Sequence, residues 1–141
     1  MEFISAEQFL KEDKEVQEVF INWWKPSTGD LFKEGKGKYA LYKAVYISPN
    51  NIGDTNVFCA LSEDRFYKKE KVVPLLTEGQ LRQFIEDKTG YRMLPDYNDE
   101  EGYSVWLYRK KGELKNKYRK LGGNLLQAYW EVAVQIAREK K

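Results

Sequence analysis

The chain has 141 residues, 42% hydrophobic and 15% aromatic, enough to bury one core and too few for two of ordinary size. Its formal charge is +2, from 24 Lys/Arg against 22 Asp/Glu, and no apolar run approaches a membrane span. Histidine is absent and cysteine occurs once, at Cys59, which excludes His-based nucleophilic triads, His general bases, an internal disulfide and a CxxC site. The start, MEFISAEQ, has neither the basic residues nor the apolar run of a secretory leader, so a soluble, intracellular protein is expected.

Ser5 with Gln8 fits a capping box and predicts a helical turn, with a break near Asp13 where a second helix is capped. Val16, Val19, Phe20, Trp23 and Trp24 follow at helical spacing as one apolar stripe. Pro26 stops this helix, because the residue before proline avoids helical geometry, and Ser27, Gly29 and Asp30 make the turn. Gly35 and Gly37 frame a loop before a strand over residues 39–47, in which Tyr42 and Tyr46 share a face. Residues 48–54 read as a loop, 57–61 as a second strand and 66–73 as a third, closed by Pro74.

Thr77 with Gln80 is a second capping box, opening a helix over 78–89 with Leu81, Phe84 and Ile85 inward and Gly90 at its end. Residues 92–94 read as a short strand and 96–102 as an acidic loop. Residues 103–110 and 114–120 form a β-hairpin around Lys111-Gly112. Asn124 caps a last helix whose buried stripe is Leu125, Tyr129, Val132, Ala133, Ile136 and Ala137. Trp130, next to Tyr129, cannot share that stripe and is assigned to a sheet edge or an oligomer contact. The order predicts an α+β fold, an antiparallel sheet packed against two or three helices, as a single domain over 1–141.

Known chemical motifs are missing. Asp96, Asn98, Glu100 and Glu101 resemble the start of a calcium loop, but Glu101 stands where glycine is needed and Leu107 where the twelfth-position glutamate belongs. Gly35-Lys36-Gly37-Lys38 is not a phosphate loop. Cys59 lies in the apolar run V-F-C-A-L, where cysteine acts as an inert core residue. No catalytic residue, metal or cofactor is assigned, and a non-enzymatic protein is expected; a histidine-free nucleotide hydrolase is the enzymatic alternative.

Charge and aromatics carry the remaining signal. The basic excess is concentrated in Arg109, Lys110, Lys111, Lys115, Lys117, Arg119 and Lys120, diluted by Glu113 alone. A positive end of this kind concentrates anionic partners; the plainer reading is a solvated hairpin tip. Trp106 and Tyr108 lie on one face of their strand and lead to Arg109, while Tyr118 and Arg119 sit on the opposing arm. Aromatics beside cations suit stacking on a base with contact to phosphate; the plainer reading is an aromatic-filled sheet face. Trp23 and Trp24 dock the first helix, with one left for a partner interface.

Three segments, Trp23-Trp24-Lys25-Pro26-x-x-Gly29-Asp30, Pro74-Leu75-Leu76-Thr77-Glu78-Gly79-Gln80-Leu81 and Leu125-Leu126-Gln127-Ala128-Tyr129-Trp130, resemble an uncharacterised family of small proteins encoded by phages and prophages of Gram-positive bacteria. The resemblance implies a phage or prophage context, no more, and carries over no functional residue; accessory proteins of that context often interfere with host functions, including defence, and the expected location is the cytoplasm of the bacterial host cell. Together with the residues, it leads to the expectation of a viral anti-defence protein that sequesters a small nucleotide signal. Trp106, Tyr108 and Tyr118 would stack on the base, and Arg109, Lys111, Lys117 and Arg119 would hold phosphate. Enclosing such a ligand calls for a homo-oligomer, with Trp23, Trp24 and Trp130 at its interface. The alternatives are a protein–protein inhibitor acting on a host protein and a nucleic-acid-binding module using the basic hairpin 103–120.

Overall fold

The fold is α+β, with four α-helices and eight strands among the described residues, all strand pairings being antiparallel. The structure, a computed structural model, describes residues 2–34, 44–48, 57–60 and 66–139. The chain divides into two compact units, Ser5–Leu76 and a second that joins Met1–Ile4 to Thr77–Lys141.

In the unit Ser5–Leu76, α1 (Ala6–Leu10) starts at Ser5, whose Oγ accepts from the Gln8 amide at 3.1 Å. The α2 helix (Lys14–Trp23) begins after Asp13 and buries Val16, Phe20 and Ile21, while Val19 stays half-exposed. Trp24 leaves the helix with ψ 125°, and Lys25 after it is kept out of helical geometry by Pro26. Asp30 ties the following turn, its carboxylate accepting from the Ser27 amide at 3.1 Å and from Trp24 Nε1 at 3.0 Å.

The sheet of this unit runs β4–β3–β2–β1–β5, built from β1 (Leu31–Glu34), β2 (Ala44–Ser48), β3 (Val57–Ala60), β4 (Phe66–Lys68) and β5 (Val72–Pro74). β1 was not expected from the sequence: it is four residues long and ends in Lys33-Glu34, and it exists by pairing with β2 on one side and β5 on the other. The strand expected over 66–73 is instead split by a 3-10 turn at Lys69–Lys71, which sends β4 and β5 to opposite edges of the sheet. Of the strand expected over 39–47, residues 39–43 lie outside the described residues, as do 49–54 of the expected loop and Leu61. Trp24, Phe32, Phe58, Tyr67 and Val72 form the aromatic core, with Trp23 packed on its margin. Edge-to-face contacts of Phe58 with Trp24 at 5.6 Å and with Phe32 at 4.9 Å knit it together.

In the second unit, α3 (Glu78–Thr89) follows the sequence reading at both ends. Thr77 and Gln80 close a full capping box, and Gly90 takes the left-handed φ of 73° that ends the helix. Leu81, Phe84 and Ile85 are buried. A meander follows: β6 (Arg92–Asn98), β7 (Gly102–Tyr108) and β8 (Leu114–Tyr118). β6 is longer than expected, so Asp96 and Asn98 belong to a strand, and the acidic loop shrinks to a turn at residues 99–101. Pairing along the whole of β7, from Arg92↔Tyr108 to Asn98↔Gly102, extends it. Pro95 is tolerated because β6 is an edge strand.

Asn124 Oδ1 accepts from the Gln127 amide at 2.9 Å and opens α4 (Leu125–Glu139). The buried surface of α4 is wider than the expected stripe: Tyr129 and Trp130 are both buried, as are Leu126, Ala128 and Val134, whereas Leu125 is half-buried. The small residues Ala128, Ala133 and Ala137 interrupt the bulky ones on this helix. α4 packs on α3 and β7, and α3 on β6, so both helices cover one face of the meander. Met93, Val105 and Leu107 point to that face and are buried.

Candidate functional site: the open face of the meander

Side chains alternate across a strand, so Trp106 and Tyr108 project from the face opposite Val105 and Leu107. Register brings Leu94 of β6 and Lys117 of β8 to either side of Trp106, and Arg92 and Leu114 to either side of Tyr108. This face is open: Leu94 is 47% and Leu114 44% exposed, and Arg92 and Asp96 are exposed beside them.

The two rings lie nearly parallel, 27° apart, with centroids separated by 6.3 Å. Trp106 is held in orientation by its Nε1, which donates to Ser104 Oγ at 2.9 Å. Lys117 Nζ sits over the indole, 4.1 Å from its centroid, a cation–π contact. A recess of about 200 Å³ opens beside the pair, lined by Leu94, Pro95, Asp96, Trp106 and Tyr108.

The expected site residues divide between three places. Trp106, Tyr108 and Lys117 come together on the open face. Tyr118 pairs with Val105 and therefore lies on the helix-facing side; burial, followed by the Glu139 carboxylate, raises its phenol pKa above the ordinary 10.0. It cannot stack on a ligand held by Trp106. Arg109 and Lys111 lie in the hairpin turn, where Gly112 has φ 88° and its amide donates to the Arg109 carbonyl at 2.8 Å. Arg109 reaches Glu113 at 3.5 Å, and Lys115 reaches the same carboxylate at 3.9 Å. Arg119 follows β8 and is exposed.

The tryptophans assigned to an interface are also separated. Trp24 is 2% and Trp130 5% exposed, each inside the chain's own core, while Trp23 is half-buried. Cys59 is half-buried on β3.

Leu94 and Asp96 were missed as site residues. Their signal was the alternation of Leu94, Asp96 and Asn98, which mirrors Gly102, Ser104 and Trp106 about the turn. Among the described residues no group of three acidic, His or Cys side chains is placed to hold a metal ion, and no helix is long and apolar enough to cross a membrane. Comparisons with protein families, with curated proteins and with solved structures find no match for this chain.

Proposed function

We propose that the chain is a binding module whose working surface is the open face of the meander, and that it takes an anionic ligand carrying a nucleobase. The observation that carries this reading is the nearly parallel Trp106–Tyr108 pair with Lys117 over the indole. A base stacks on such rings whatever its identity, taking the place of the Lys117 ammonium over the indole, and the displaced ammonium supplies the contact to phosphate. Lys115 on β8 and Arg119 beyond it add positive charge on the same side of Trp106. Free nucleotides suit this surface better than a long strand, because the aromatic platform is one pair of rings wide.

The resemblance of three segments to small phage and prophage proteins supports a setting for this ligand: an accessory protein that withdraws a nucleotide signal from a host defence. A host protein is the second reading, favoured by the exposure of Leu94 and Leu114 around the rings.

The test is titration of the full chain with the four ribonucleoside 5′-monophosphates, followed by calorimetry and by tryptophan fluorescence. Saturable binding that quenches fluorescence, weakens with added salt and disappears in Trp106→Ala at unchanged melting temperature is the expected result. Failure of all four to bind would overturn the nucleotide reading.

A further inference from the structure

We infer that the recess beside Trp106 reads the base, and that it selects guanine; the inference rests on the stacking surface proposed above. The open face is chemically polarised across β7. On the β8 side stands Lys117, in register with Trp106 and over its ring. On the β6 side stands Asp96, two residues along from Leu94, which is the β6 partner of Trp106. Asp96 lines the recess with Leu94, Pro95 and the two rings. Arg92, the other charge on β6, lies opposite Tyr108 at the far end of the pair.

This arrangement orients a nucleotide. Its phosphate goes to the Lys117 side, and the edge of its base goes to the Asp96 side. At about 200 Å³ the recess is smaller than the ~300 Å³ at which pockets begin to enclose a drug-sized molecule. It therefore suits one ring system, with sugar and phosphate left on the open sheet.

An ionised carboxylate only accepts hydrogen bonds, through two oxygens side by side. Guanine alone among the four bases presents two adjacent donors on its Watson–Crick edge, N1–H and the 2-amino group. Adenine and cytosine each place a ring-nitrogen acceptor beside their amino donor, and that lone pair would face the second carboxylate oxygen. Uracil offers one N–H flanked by two carbonyl oxygens. Bidentate, charge-assisted pairing with Asp96 thus separates guanine from the other three.

The experiment compares GMP, AMP, CMP, UMP and inosine monophosphate by calorimetry on the full chain and on Asp96→Asn. Asp96 is exposed, so the variant retains the fold, and its melting temperature checks this. GMP is expected to bind at least about tenfold tighter than AMP, CMP or UMP, the scale of one charge-assisted pairing. Inosine monophosphate, which keeps N1–H and lacks the 2-amino group, should fall between. In Asp96→Asn the preference for GMP should collapse while stacking-driven binding persists. Equal affinity of the wild-type chain for all four nucleotides would overturn the selection of guanine and leave the stacking surface standing. Absence of binding by any of them would overturn both.

Discussion

Lys69 Nζ donates a 2.8 Å hydrogen bond to the main-chain oxygen of Trp24, a residue 45 positions earlier in the chain. Trp24 ends α2 in extended geometry, so its carbonyl lies outside the helical ladder, and its side chain is buried. A buried carbonyl needs a donor, and the 3-10 turn that splits β4 from β5 delivers one. Trp24 is thereby held at three points, by Lys69, by Asp30 at the indole N–H, and by Phe58 against the ring.

Desolvation, with Lys25 adding to it and Glu70 opposing it, lowers the Lys69 pKa below its ordinary 10.5. Between the lowered value and 10.5 the unfolded chain binds a proton that the native chain does not, so stability rises with pH across that window. The gain is fully present above 10.5 and is lost as pH falls through the lowered value. Chemical denaturation at stepped pH should show this rise in the wild type and its loss in Lys69→Met.

Tyr129 and Tyr118 act in the opposite direction. Burial, the largest influence on each, raises both phenol pKa values above 10.0; for Tyr129 the Arg82 guanidinium opposes the shift, and Glu78, Tyr103 and Glu86 add to it. Their contribution is complete below pH 10.0 and is lost as pH rises through the raised native values. Absorbance titration of tyrosinate should show a late-ionising fraction that shrinks in Tyr129→Phe and again when Tyr118→Phe is added.

Gly102 has φ 76°, and a Cβ built there would meet the Gly122 carbonyl oxygen at 2.5 Å. That oxygen accepts the Tyr103 amide at 2.8 Å, so it cannot retreat without breaking the bond. Gly102→Ala should cost at least about 2 kcal/mol, combining left-handed strain with the lost contact. Gly122 has φ 85° but nothing within 4 Å of its would-be Cβ, so Gly122→Ala should cost about 1 kcal/mol, the strain alone. Urea unfolding of both variants checks the ordering.

Glu113 draws on both Arg109 and Lys115, and its side chain and that of Arg109 are more than half exposed. Exposed pairs of this kind are worth about 0–1 kcal/mol, so Glu113→Gln should leave the melting temperature nearly unchanged. It removes the one acidic residue of the hairpin tip and should tighten nucleotide binding, most visibly at low salt. Unaltered affinity at low ionic strength would detach the hairpin turn from the binding surface.

The parts of the fold legible in the sequence were those fixed by neighbours. The α3 helix is bracketed by a capping box and a glycine within one turn of its ends, and both signals are local. β1 is held by partners that are remote in sequence, and nothing within its four residues announces them. The candidate site divides the same way. Trp106 and Tyr108 share a face by alternation within one strand, which the sequence displays. Whether Lys117 or Tyr118 stands beside Trp106 depends on the register between β7 and β8, and the irregularity near Tyr108 shifts that register by a residue within the hairpin. Asp96 was misplaced because Pro95 reads as the end of a strand, whereas an edge strand accommodates it.

Arg82 and Glu86, one turn apart on α3 and 3.7 Å from each other, meet the rim of β6: Arg82 donates to the Met93 carbonyl at 3.0 Å and Glu86 accepts its amide at 3.1 Å. At Met93 both main-chain groups that an incoming strand would need are engaged, and Pro95 beyond it has no N–H to offer, so this stretch of the rim resists templated growth. The other rim, β8, carries Lys115 and Lys117, and two copies meeting along it would bring like charges together. Occupied hydrogen bonds at Met93 on one side and like charges along β8 on the other both work against edge-to-edge polymerisation of a meander that leaves Leu94 and Leu114 exposed to water.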